Sequence, residues 1–191
     1  MISSESTQQK TYVALGDSMS IDDYTGVVGG GAVAQFHRKL GPSWELVDRT
    51  CDGCTIALVR VHDRGDIITL TIGGNDGLIN LESIIANGVS SLLNEHRRLL
   101  TRIRQNNPDA ILIVGNIYEP QMSLPELALR RLLELNSGIG ENVAAVDGRL
   151  ADIHSAFRGH GDDFLCQNIE PSLAGATRIA ELFWEQYSKN V

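Results

Sequence analysis

Asp66-Ile-Ile-Thr-Leu-Thr-Ile72, closed by Gly73-Gly74, is the clearest strand in the chain. Its β-branched residues suit an extended backbone. Upstream, Thr11 to Leu15 (TYVAL) is a second apolar run that stops at Gly16, and Glu45 to Val47 is a short third. Downstream, Ala110 to Val114 (AILIV) and Asn142 to Val146 complete about five strands. Between them lie helical patterns. Val28 to Leu40 repeats its apolar residues near period 3.6 and ends at Gly41-Pro42, and Thr55 to Val61 is a short helix. Leu81 to Gln105 is a long amphipathic stretch broken by Asn106-Asn107-Pro108-Asp109, Pro125 to Leu135 is helical, and a last helix opens at Pro171. Strands alternating with helices imply right-handed β-α crossovers and a parallel sheet covered on both sides. The expected architecture is a three-layer α/β/α sandwich forming one domain over residues 11–191, after a flexible segment 1–10.

Composition narrows the function. The chain has 191 residues, 42% of them hydrophobic, enough for a substantial core. A net charge of −8 argues against a nucleic-acid or anionic-membrane partner, which demands clustered Lys and Arg, and favours a small neutral or cationic substrate. MISSESTQQK, residues 1–10, lacks the pattern of a signal peptide, and no run is long enough to span a membrane, so a cytoplasmic protein is expected. Cys51, Cys54 and Cys166 are too few for a disulfide framework, and Cys51-Asp-Gly-Cys54 lacks a second pair for zinc. These cysteines read as reduced residues near a loop.

In an open parallel sheet, ligands bind beyond the carboxyl ends of the strands, so the residues that follow strands carry the chemistry. Two such turns stand out: Gly16-Asp17-Ser18 and Gly73-Gly74-Asn75-Asp76. Gly16 allows a tight exit, Asp17 can hydrogen-bond the turn, and Ser18 then starts the next segment. Ala14-Leu15-Gly16-Asp17-Ser18 together with Thr71-Ile72-Gly73-Gly74-Asn75-Asp76 resembles two of the four sequence blocks of the GDSL/SGNH hydrolases. Gly53 stands at the glycine of that family's second block. Gln167-Asn168-Ile169-Glu170-Pro171 aligns with its last block, D-x-x-H-P. The resemblance runs from Tyr12 to about Trp184. It implies a flavodoxin-like fold and a serine nucleophile, Ser18. It also implies an oxyanion hole from the N–H groups of Ser18 and Gly53 and the amide of Asn75, with Asp17 and Asp76 supporting the two turns.

The last block departs from the family pattern. Glu170 replaces the histidine and Gln167 the aspartate. A carboxylate is a weaker base than imidazole at its reference pKa, yet a less polar pocket raises it. It also has no tautomer for an aspartate to fix, so a neutral Gln167 beside Glu170 is consistent with a Ser18–Glu170 dyad. The rival reading is a lost base and a protein that binds an acylated or carbohydrate ligand without turnover. Of the histidines, His160 is the nearest substitute base, whereas His37, His62 and His96 read as surface or packing residues. Asp22-Asp23 lacks further metal ligands, Gly29-Gly30-Gly31 reads as a flexible loop near Ser18, and Arg97-Arg98 and Arg130-Arg131 read as solvated helix faces. The expected activity is hydrolysis of a small acyl ester with no cofactor and no metal, in a pocket built by the loops Ser20 to Gly31 and Glu119 to Pro125. Transfer of the acyl group to another acceptor, and the oligomeric state, stay open.

Overall fold

A strand buried on both faces must feed two cores, and β1 (Lys10–Gly16) does so residue by residue. Val13 and Leu15 enter one apolar cluster, while Tyr12 and Ala14 enter the other. In β3 (Ile67–Thr71), Ile68 and Leu70 follow the first pair and Ile67 the second. In β4 (Ile111–Gly115), Leu112 and Val114 face one way and Ile113 the other. With β2 (Trp44–Thr50) and β5 (Arg149–Ala151), these strands form one five-stranded sheet, ordered β2-β1-β3-β4-β5 and parallel throughout. The computed structural model describes residues 9–190.

Helices cover both faces. On one side lie α3 (Leu81–Asn87), α4 (Ser90–Asn106) and α5 (Glu126–Ala144), which bury Ile84, Leu99, Leu100, Ile103, Leu135 and Ile139. On the other lie α1 (Ala32–Leu40), α6 (Ile153–Phe157), the short α7 (Gly161–Phe164) and α8 (Leu173–Tyr187), which together bury Phe36, Phe157, Ile179 and Phe183. Tyr12 anchors this second core: its ring meets Phe36 edge to face at 5.1 Å, and its hydroxyl bonds Thr69 Oγ1 at 2.7 Å. The three-layer α/β/α sandwich expected from the sequence is therefore the observed architecture. Among the described residues no helix is long and apolar enough to cross a membrane.

Several element boundaries differ from expectation. Asn142 to Val146 is not the last strand; α5 runs on to Ala144 and the strand follows at Arg149–Ala151. Short apolar runs fit either period, and here Leu135, Ile139 and Val143 continue a helical face, while the buried Asn142 amide donates to Leu93 O at 2.9 Å. Leu81 to Gln105 is two helices, because Gly88, at φ +84, terminates α3. The first helix starts at Ala32 rather than Val28, whose side chain is 99% exposed. Thr55 to Val61 contains only a 3-10 turn, Ile56–Leu58. Pro171 belongs to a two-stranded antiparallel ribbon, β6 (Leu165–Cys166) and β7 (Glu170–Pro171), and α8 begins after Ser172, whose hydroxyl accepts from Gly175 N. Lys10 opens β1, and residues 1–8 of the expected flexible segment lie outside the described residues.

Candidate active site

The sheet order puts the crevice between β1 and β3. After β1 the chain crosses to β2 on one side, and β3 then pairs with β1 on the other. The loops leaving these two neighbouring strands diverge, which opens a site at their carboxyl ends. Ser18 and Asn75 are the residues delivered there.

Gly16 makes the first turn possible. It has φ +133, and a Cβ on it would lie 2.0 Å from the Thr71 carbonyl oxygen. The neighbouring strand can approach only because that atom is missing, and Asp17 N then donates to Thr71 O at 2.9 Å. Asp17 Oδ1 accepts from Met19 N at 3.2 Å and caps a 3-10 turn, Ser18–Ser20, that starts with Ser18. Ser20 Oγ bonds Thr71 Oγ1 at 2.9 Å, locking the turn to β3. After β3, Gly73 adopts a left-handed conformation at φ +107 and starts α2 (Gly74–Ile79). Asn75 donates one amide hydrogen to Cys54 O at 3.0 Å, which leaves the second for a ligand. Asp76 accepts from Ile56 N at 3.1 and 3.2 Å, so both residues tie α2 to the loop that carries Gly53.

Glu170 arrives from the ribbon that precedes α8. It is only 7% exposed, it lines the same cavity as Ser18, and its Oε2 is buried without a partner. The adjacent backbone is held by Tyr118, whose hydroxyl donates to Ile169 O at 2.5 Å. Burial raises the Glu170 pKa above the ordinary carboxylate value; the Ser18 hydroxyl pulls it back, and the negative charge of Asp52 pushes it up again. Asp17 is raised further, to about 8, chiefly by burial, against the opposing bonds from Met19 N and Thr71. It is therefore mostly a neutral acid at pH 7.

Ser18, Asn75 and Glu170 line one cavity of about 100 Å³, together with Asp17, Gly73 and Gly74. Its remaining wall is mostly apolar: Leu78 and Leu81 with Ile84 from α2 and α3, and Ala128, Leu132 and Leu135 from α5. The expected loop Glu119 to Pro125 contributes Pro120 and Leu124, but Ser20 to Gly31 contributes nothing. That second loop is instead closed on itself. Asp22 accepts from Gly29 N at 2.6 Å and Gly31 N at 2.7 Å, so it is not simply solvent-facing, and a Cβ on Gly31 would strike Ile21 at 2.5 Å. The glycines there serve close packing.

Other expected site residues lie elsewhere. Gly53 is exposed in the Cys51–Cys54 turn at φ +65 and does not line the cavity. Gln167 is exposed at the tip of the ribbon at φ +50, turned outward rather than set beside Glu170. His160 is exposed, stacks on Phe164 at 5.0 Å and also lies off the cavity. Cys51, Cys54 and Cys166 are free thiols, as expected. Residues that the sequence reading missed include Tyr118, Asp52 and Arg131. Arg131 lines the cavity with its side chain 25% exposed, so it is not on a solvated face. A signal was present: positions 128, 131, 132 and 135 share one helical face, and three of the four are apolar. Arg97 and Arg98 are exposed, as expected of a solvated face, and Arg97 donates from Nε to Asn142 Oδ1 at 2.9 Å.

Solved structures share this fold. The lipase Lip_vut3 from a goat rumen metagenome aligns with a TM-score of 0.79 at 22% identity, covering 93% of this chain and 97% of that one. Phospholipase A1 from Streptomyces albidoflavus NA297 aligns at 0.70 and 19% identity, covering 94% and 100%. An acetyl xylan esterase from Geobacillus stearothermophilus aligns at 0.72 and 16% identity, covering 96% and 97%. No curated protein matches the sequence. Residues 14–178 match the family described as GDSL-like lipase/acylhydrolase, a span running from the strand before Ser18 into the helix after Glu170, and the chain belongs to that family.

Proposed function

We propose that the protein is a serine ester hydrolase in which Ser18 is the nucleophile and Glu170 the general base. One observation carries the reading: a nucleophile, an amide donor and a buried carboxyl with an unpartnered oxygen meet at one apolar-walled cavity. Ser18 attacks the acyl carbon as Glu170 takes its proton. The negative oxygen is held by the Ser18 N–H and the free Asn75 amide hydrogen. Protonated Glu170 then gives its proton to the leaving alkoxide, and water, deprotonated by the same carboxylate, releases the acid. The apolar wall suits the acyl half of the substrate.

Covalent labelling by a fluorophosphonate tests the nucleophile directly. Wild-type protein is expected to label at Ser18 and to cleave short p-nitrophenyl esters, Ser18→Ala to do neither, and His160→Ala to behave as wild type. Labelling at another residue, or loss of turnover in His160→Ala alone, would remove Ser18 or Glu170 from these roles. Binding of esters without any turnover or labelling would favour the non-catalytic reading.

A further inference from the structure

The turn Cys51–Cys54 joins the two halves of the site. At one end Cys51 N donates to Gly16 O at 3.1 Å, just before Asp17 and Ser18, and at the other Cys54 O accepts the Asn75 amide at 3.0 Å. Cys54 N closes the turn onto Cys51 O at 3.3 Å, with Gly53 at φ +65 inside it. A four-residue turn keeps its outer α-carbons within about 7 Å, the separation that a disulfide spans. The two thiols differ in environment. Cys51 is exposed, whereas Cys54 is buried in the same apolar cluster as Leu15, Ile56 and Ile72. Burial pushes the Cys54 thiol up to about 12, with the neighbouring Cys51 thiol adding to the rise, so Cys54 is not the first to attack as a thiolate.

We propose that Cys51 and Cys54 form a reversible disulfide by exchange with a small-molecule disulfide such as oxidised glutathione, and that this bond switches the site to a less active form. The Cys51 thiolate attacks one glutathione sulfur, making a mixed disulfide and releasing a glutathione thiolate. Cys54 passes its proton to that thiolate and attacks Cys51 Sγ, expelling the second glutathione. The two cysteines are oxidised as the glutathione disulfide is reduced to two thiols. Cys51 is pinned, because its N–H continues the pairing of Gly16 with Thr50. Closing the bond therefore moves the Cys54 end, whose Sγ must leave Thr55 O, now 3.8 Å away. Cys54 O is drawn from Asn75, which loses the partner that aims its other amide hydrogen at the oxyanion. The effect on activity rests on the hydrolase reading, but the disulfide itself does not.

Protein held in dithiothreitol is compared with protein equilibrated with oxidised glutathione, for wild type, Cys51→Ser, Cys54→Ala and Cys166→Ser. Peptide mapping by mass spectrometry is expected to find Cys51 joined to Cys54 in wild type and Cys166→Ser, while Cys54→Ala stops at the mixed disulfide on Cys51. In wild type and Cys166→Ser, kcat for p-nitrophenyl esters should fall on oxidation by about tenfold or more, toward the roughly 10²–10³ of a lost oxyanion donor, and dithiothreitol should restore it. Cys51→Ser should keep one kcat in both conditions. A wild type that stays reduced or stops at the mixed disulfide, a bond to Cys166 instead, a Cys51–Cys54 bond with unchanged kcat, or an equal loss in Cys51→Ser would each overturn the proposal. If neither form turns over any ester, the hydrolase reading fails separately. The Asn75 side-chain amide resonance then decides the switch, a shift on oxidation supporting it and an unmoved resonance refuting it.

Discussion

Replacing Glu170 with glutamine removes the proposed base while keeping the length and shape of the side chain that packs in the ribbon before α8. General-base catalysis contributes roughly 10²–10⁴-fold, so kcat/KM should fall by about 10³, which is about 4 kcal/mol of lost transition-state stabilisation. The pH profile makes the test specific. Only the ionised carboxylate can accept the Ser18 proton, so activity should rise with pH through the Glu170 pKa. Burial and the Asp52 charge together hold that pKa above its ordinary 4.5, against the pull of the Ser18 hydroxyl. The rising limb is therefore expected above pH 4.5, and Asp52→Asn should move it toward acid, since removing a nearby negative charge favours ionisation. Glu170→His should recover part of the activity lost in Glu170→Gln, with a limb displaced toward the reference imidazole value of about 6.5. Initial rates from pH 4 to 9, with the released acid quantified by chromatography, read all four proteins on one scale. Wild-type kcat/KM and an unchanged profile in Glu170→Gln would refute the assignment.

Asn75→Ala should lower kcat by roughly 10²–10³ with a smaller change in KM, the loss typical of a single oxyanion donor, measured by steady-state kinetics on the same esters. Asp17 gives a pH dependence of stability: its folded pKa of about 8 exceeds the ordinary 3.8, so the folded state binds more protons across that window. Its contribution is complete below about pH 4 and is lost as pH rises to about 8; Asp17→Asn should flatten the decline seen by urea unfolding between pH 5 and 9. Gly16→Ala should destabilise the fold by on the order of 3 kcal/mol, because the new methyl meets the Thr71 carbonyl oxygen at 2.0 Å, and a wild-type unfolding midpoint would count against that contact.

The parallel sheet was legible because β1, β3 and β4 are short runs rich in apolar and β-branched residues, separated by helical patterns. The Asn142 to Val146 run misled because a helical stripe and a short strand contain the same apolar residues. Ser18 and Asn75 were visible through their turns, since a glycine forced to positive φ marks a place where backbones approach closely. Asp52 and Tyr118 were not. Both follow strands, Asp52 after β2 and Tyr118 after β4, but their nearness to Glu170 depends on how the Cys51–Cys54 turn and the residues after β4 fold over the crevice. Arg131 was misread because a charge on a helix is usually solvated, although its place on the apolar face shared by 128, 132 and 135 was there to be read.

The tertiary arrangement changes how Gln167 and Glu170 are read together. From sequence, Gln167 reads as the neutral companion of a carboxylate base. In the structure it sits exposed on the ribbon tip, and the acid whose charge acts on Glu170 is Asp52. An aspartate that supports imidazole stabilises a cation, whereas a carboxylate beside another carboxylate destabilises an anion. For a base, that second effect is useful. Asp52 makes Glu170 a stronger proton acceptor, and the gain persists as long as the pKa stays below the working pH, where the carboxylate is still mostly ionised. Proton transfer from Ser18 then relieves repulsion between the two acids as the transition state forms. On this account Asp52→Asn should widen the active range on the acid side while lowering kcat/KM on the alkaline plateau. A variant that raised the plateau instead would show that the Asp52 charge hinders the reaction.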